Sequence, residues 1–229
     1  MKKVIIVLLA SLVFVACGFI GYQLANRVNP AKIPASSTAS GRVGQGEQHN
    51  LVVLQVDRLD SYQPKLVSIW FASLYFMDSD PPMLTLGQLY PTLSNNNINQ
   101  SIARSFALDG EGEPSTGFWR NLDVYKINWE GYLLVDAVTM QRVMEWVNGP
   151  GDYIALLSSG PESSDERNQL AGQSCQRIAG IDTRQDPALQ WGDLVPDHFR
   201  SNLHMEDALA YWNRVTTARD ARCEILPAR

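Results

Sequence analysis

Asp57 and Arg58 close an aliphatic run, Asn50-Leu-Val-Val-Leu-Gln-Val-Asp-Arg58. A carboxylate beside a guanidinium at the mouth of a strand is placed where open α/β sheets receive polar ligands. The same pair would serve equally well as a surface ion pair at a strand end. Arg167 is a second candidate, at the start of a helix after Ser163-Ser164, where exposed charge is also common. His49, His198 and His204 have no metal-ligand spacing among themselves and no paired Cys, so a zinc site is not expected. Asp109, Glu111 and Glu113 alternate like a calcium loop but lack the closing Glu at position 12, so a solvated loop is the simpler expectation. No G-x-S-x-G, P-loop or H-E-x-x-H occurs, so ordinary hydrolase, nucleotide and zincin chemistries have no support in the sequence. A formal net charge of -5 argues against a nucleic-acid partner, because phosphate binding needs a basic footprint. The six tryptophans could stack on carbohydrate. Core is the commoner fate, with Trp70 in a strand and Trp146 and Trp212 in amphipathic helices.

The elements that would position these groups are readable from periodicity. Residues 50–57 have the pattern of a strand covered on both faces. Residues 65–76 and 83–90 flank a turn-rich stretch and predict an antiparallel hairpin. Ile98, Ile102 and Phe106, spaced four apart after Asn95-Asn96-Asn97, predict a helix laid on the sheet, and a Gly-rich acidic loop follows over 109–117. Residues 132–136 read as a further strand. Met140, Val143, Met144 and Val147 repeat at i, i+3, i+4 and i+7, and Asn148-Gly149 supplies a stop, so 137–148 is an amphipathic helix. Residues 153–157 are expected to return as a strand, with helices over 166–179 and 204–217. Interspersed strands and helices predict an α/β fold, a three-layer arrangement with a mixed β-sheet between helices.

Residues 4–24 carry no charge and are long enough for a membrane-spanning helix, for which roughly 20 apolar residues suffice. Lys2 and Lys3 precede the run, which puts the N-terminus inside and the remainder on the extracytoplasmic side of the cell membrane. The expected organisation is a transmembrane anchor at 1–25, a flexible linker at 26–48 without hydrophobic period, and one domain at 49–229. A cleaved signal peptide and a lipoprotein remain open, the latter because Val15-Ala16-Cys17-Gly18 resembles a lipobox. With Cys17 in the anchor, Cys175 and Cys223 form an even pair in a compartment that permits disulfides; two separate buried thiols are the alternative.

In this order of elements the sequence resembles the LytR-CpsA-Psr family, membrane-anchored bacterial proteins that move glycopolymers from a polyprenyl-pyrophosphate carrier to the cell wall. The resemblance rests on 50–58, on Leu66-Val-Ser-Ile69, on the hairpin into Met83-Leu-Thr-Leu86, on 124–136, and on the late loop and helix from Phe199 to Tyr211. It implies a polyprenyl-linked glycan or wall component as partner, and Asp57, Arg58, Arg167 and Gln169 as ligand-binding residues, the last two being what is left of a late Arg-rich cluster. The departures are as informative. Gln88 stands where the family has the Arg that holds the pyrophosphate, Leu89 where it has Asp, and Tyr62 at or near the acidic position that helps hold a cation. A pyrophosphate leaving group needs guanidinium, ammonium or a cation aimed at its oxygens, and a carboxamide supplies neither the charge nor the fork. The expectation is a non-catalytic binding or accessory module in envelope assembly. The competing expectation is an active phosphotransferase using Mg²⁺, with Asp57, Arg58 and Arg167 in the roles of the lost groups. A purely structural envelope lipoprotein is the third.

Overall fold

The computed structural model describes residues 47–76, 81–92, 96–153, 164–178, 189–218 and 220–226 of the 229-residue chain. The chain divides into Met1–Gly41 and Arg42–Arg229, and the described residues all belong to the second unit. The expected anchor, and the linker up to residue 46, lie outside them. Among the described residues no helix is long and apolar enough to cross a membrane.

Six strands form one sheet: β1 (Glu47–Val56), β2 (Leu66–Phe76), β3 (Met83–Tyr90), β4 (Gly131–Val135), β5 (Phe199–Ser201) and β6 (Arg222–Leu226), in the spatial order β5-β4-β1-β2-β3-β6. The sheet is mixed, as expected. β1–β2, β2–β3 and β4–β5 are antiparallel, whereas β1–β4 and β3–β6 are parallel. The carboxyl ends of β1, β3, β4 and β6 therefore share one edge of the sheet, together with the starts of β2 and β5. The aliphatic and β-branched content of β1 suits it to the middle of the sheet, where both faces are covered.

Helices lie against both faces. On the first, Val52, Leu54, Ile69 and Leu134 are at 0 % exposure under α1 (Asn96–Ser105) and α2 (Thr116–Leu122), which contribute Ile102, Phe118 and Leu122. The four-residue spacing puts Ile98 and Ile102 on one stripe of α1, and Phe106, just past its end with its N–H still bonded to the Ile102 carbonyl, continues that stripe. On the second face, Leu51, Ala72, Leu74, Phe76 and Leu84 pack with Val215 of α5 (Met205–Thr217), and Ile178 of α4 (Ser164–Ile178) joins them. Val135 and Phe199 pack with Leu194 and Met140, the latter from α3 (Ala137–Asn148).

Helix α3 has the bounds its periodicity predicts. Asp136 Oδ1 caps its start by accepting from the N–H groups of Val138 and Thr139, and Gly149 takes φ 89° at its end, a conformation that costs a glycine little. The expected disulfide is formed: Cys175 on α4 is bonded to Cys223 on β6, with Cα atoms 5.3 Å apart.

Five details differ from the sequence reading. Glu47 and Gln48, expected in the linker, already pair with Phe76 and Tyr75 as the start of β1. The segment after the acidic loop becomes α2, whose N-cap Ser115 accepts from Phe118 N–H; seven residues are too few for a periodic signal. The C-terminal stub is strand β6, held as a parallel partner of β3. Phe199–Ser201 is likewise too short a strand to show alternation. The strand expected at 153–157 begins at a helical Tyr153, and 154–157 lie outside the described residues.

Candidate functional site

Asp57 and Arg58 sit at the carboxyl edge of the sheet as expected, but their bonds are local. Asp57 Oδ1 accepts from the N–H groups of Arg58 (2.8 Å) and Lys65 (2.7 Å), and Asp57 N–H donates to Lys65 C=O (3.0 Å). The carboxylate thereby closes the 57–65 loop between β1 and β2. Arg58 is 70 % exposed and lies 3.6 Å from Asp60, a surface pair of small energetic consequence. Tyr62 is 97 % exposed. Arg167 and Gln169 lie on α4; the Gln169 side chain is exposed, and that of Arg167 lies outside the described residues. Asp57 and Arg58 are thus adjacent at one edge, while no described contact joins them to Gln169.

Gln88 is 7 % exposed and turned into the second face of the sheet, its Nε2 3.4 Å from Tyr90 C=O. On the same face lie two buried polar residues that sequence reasoning missed. Gln55 (2 % exposed) accepts from the hydroxyl of Ser68 (3 % exposed) at 2.8 Å, and the register sets both on the face of Gln88. Gln55 and Ser68 are cross-strand partners, and Gln88, opposite Trp70, lies on the same face of the sheet, so the three are buried uncharged polar residues on one face. The sequence signal was a single glutamine interrupting an aliphatic strand.

The apolar residues next to these three are incompletely covered. Val53, Trp70, Leu86 and Leu133 lie on the same face and are all partly exposed. On the opposite face of the same central strands, Val52, Leu54 and Leu134 are at 0 %. An aromatic group borders this half-covered surface: Trp191 packs against the Val135, Leu194 and Phe199 cluster that Val53 and Leu133 also join, 5.8 Å from Trp212, which lies 5.4 Å from Trp146. All three tryptophans are partly buried. The arrangement offers apolar and aromatic area ending in neutral hydrogen-bonding groups.

At the same edge, Asp136 (side chain 4 % exposed) holds His198, whose Nδ1 is 2.7 Å from Asp136 Oδ2. The His198 carbonyl accepts from Thr139 Oγ1 (2.6 Å) and from Asp136 N–H (3.2 Å). Sixty-two residues separate the two side chains, so no local pattern could pair them. On the other edge, where β1 begins, His49 Nδ1 lies 2.9 Å from Glu130 Oε2 and 3.2 Å from the Tyr211 hydroxyl. Tyr211 is pushed up to about 12 by burial, then by the charges of Glu130, Asp207 and Glu47. Tyr132 is raised further, first by burial, then by its hydrogen bond to Glu113 and that group's charge. In the acidic loop, Asp109 Oδ1 accepts from the N–H groups of Glu111 and Glu113, which folds the loop back on itself. Among the described residues no cluster of His, Cys, Asp and Glu is arranged to hold a metal.

No family model and no curated protein matches the sequence. Similar solved structures include TagT bound to LIIa-WTA (TM-score 0.48, 7 % identity, 86 % of each chain covered). TagV of B. subtilis is another (TM-score 0.45, 10 % identity, 80 % of this chain and 86 % of that one). A third is the transcriptional regulator EF0465 from Enterococcus faecalis (TM-score 0.46, 12 % identity, 79 % and 76 % covered). TagT and TagV belong to the LytR-CpsA-Psr family, the one the sequence resembles. At these scores and identities the likeness carries no activity or ligand over to this chain.

Proposed function

We propose that this chain is a membrane-tethered, extracytoplasmic envelope domain that holds a polyprenyl-type lipid, or the glycan attached to one, without transferring it. The observation that carries the reading is the buried, uncharged Gln88 on the same face as the buried Gln55–Ser68 pair, beside a half-covered apolar surface. The surface offers area for a prenyl chain but none of the fixed positive charge that pyrophosphate departure requires. Replacing one transition-state donor commonly costs on the order of 10²–10³ in rate, and here the Arg, Asp and cation-binding positions of the family are all altered. Asp57, Arg58, Arg167 and Gln169 are proposed to contact the ligand's outer, solvated part; no cofactor enters this reading. The anchoring segment is 4–24.

The test is native mass spectrometry of the full chain purified in detergent, combined with a transfer assay using a polyprenyl-pyrophosphate-linked glycan donor and Mg²⁺. Retained prenyl lipid without transfer is the expected result. Mg²⁺-dependent transfer above the background of an Arg58→Gln/Arg167→Gln variant would establish the phosphotransferase reading instead. Diacylglycerol on Cys17 would make the tether a lipid rather than a helix.

A further inference from the structure

Taking the second face of the sheet as the lipid-holding surface, a premise that rests on the function proposed above, we infer that its ligand has an uncharged polar end. A prenyl alcohol or ester fits this description; a phosphate or diphosphate does not. The inner end of the surface is formed by Gln55, Ser68 and Gln88, which are 2, 3 and 7 % exposed. Carboxamides and a hydroxyl both donate and accept, so they match a hydroxyl or ester without any charge to balance. Among the described residues that the register places on this face there is no Lys or Arg.

Among the described residues, Arg58, Lys65, Arg142, Arg177 and Arg214 are occupied or face solvent. Arg58 is 70 % exposed against Asp60, Arg142 is 67 % exposed against Glu145, and Lys65 is exposed. Arg177 donates to the Asn148 carbonyl at 2.8 Å, and Arg214 lies over the Phe76 ring, 4.2 Å from its centre. The fixed charges at the carboxyl edge are in part negative: Asp57 closes the 57–65 loop, and Asp136 is buried beside His198. A phosphate entering here would be stripped of water in exchange for carboxamides and would approach two carboxylates. A lipid alcohol meets neither penalty. The surface is thus complementary in charge to a neutral lipid, and Gln88 is the residue that sets the preference.

The experiment uses the full chain in detergent micelles with two probes of equal chain length, geranylgeraniol and geranylgeranyl diphosphate, read by quenching of tryptophan fluorescence, since Trp70 lies on the surface concerned. The alcohol is expected to bind at least about tenfold more tightly than the diphosphate. Gln88→Arg is expected to reverse that order, and Arg104→Gln, an exposed change on α1 over the other face, to leave it unchanged. Equal or tighter binding of the diphosphate by the unmodified chain overturns the inference while leaving the lipid-holding surface intact. Binding of neither probe overturns both the inference and the surface it rests on. The comparison of the two probes on the unmodified chain decides the matter even if Gln88→Arg does not fold.

Discussion

Removing the Cys175–Cys223 bridge should cost the domain about 4 kcal/mol. The bridge closes a loop with a sequence separation of 48. A loop of that size, opened in the unfolded chain, regains about 14 cal/mol/K of entropy, which is the quoted energy at room temperature. The structure gives a reason to expect most of that value. β6 is an edge strand bonded to β3 alone, its exposure alternates along its length, and Leu226 is 46 % exposed. It buries too little apolar surface to be held firmly without the covalent link to α4. The suitable variant is Cys175→Ala/Cys223→Ala, because Cys175 is 1 % exposed and a serine there would bury an extra hydroxyl. Urea unfolding of the full chain in detergent, followed by tryptophan fluorescence with and without dithiothreitol, measures the effect. At roughly 2–4 °C per kcal/mol for a domain of this size, the thermal midpoint should fall by roughly 8–16 °C. A variant and a reduced wild type that both unfold within about 1 kcal/mol of the oxidised protein would refute the reasoning. It would mean that the unfolded chain is already compact around these residues, or that β6 is held by other contacts.

Asp136→Ala should destabilise by about 2–3 kcal/mol, since it removes a two-bond cap from α3 and leaves His198 without its carboxylate; a urea midpoint close to wild type would contradict this. Gly131→Ala should cost about 1–3 kcal/mol by overpacking. Its Cβ would come within 2.5 Å of Leu203 Cδ2 and 3.1 Å of Asn202 Oδ1, the acceptor of the Tyr132 N–H, and calorimetry would register the loss. The alkaline limb of stability has a definite sign. Tyr211 ionises at about 12 in the fold against an ordinary 10.0, so the unfolded chain releases its proton first. Stability is then full below pH 10 and falls as the pH rises towards 12, helped by the raised Tyr90, Tyr125 and Tyr132. Tyr211→Phe should retain more of its stability across that window, and an unchanged alkaline transition would count against the assignment.

The elements that could be read from the sequence are those whose signal is local. Met140, Val143, Met144 and Val147 repeat with the helical period, and Asn148-Gly149 ends the repeat where only a glycine sits comfortably at positive φ, so α3 was delimited by adjacent residues alone. The aliphatic run of β1 and the hairpin of β2 and β3 are legible for the same reason, and the Cys175–Cys223 pair followed from counting cysteines and placing Cys17 in the anchor. Gln88 was conspicuous in the sequence only as a departure from a family pattern. Its burial, and the face it shares with Gln55 and Ser68, depend on the strand register of β1, β2 and β3, which no single segment encodes. β6 looked like a stub because its partner β3 lies far back in the chain. Asp136 and His198 meet only because β4 and β5 pair at the sheet edge. Local periodicity fixed which segments are helix or strand, because it depends on side chains a few residues apart. Long-range pairing decided which polar groups share a face and which apolar residues stay half-covered, because those outcomes depend on how strands and helices distant in sequence pack together.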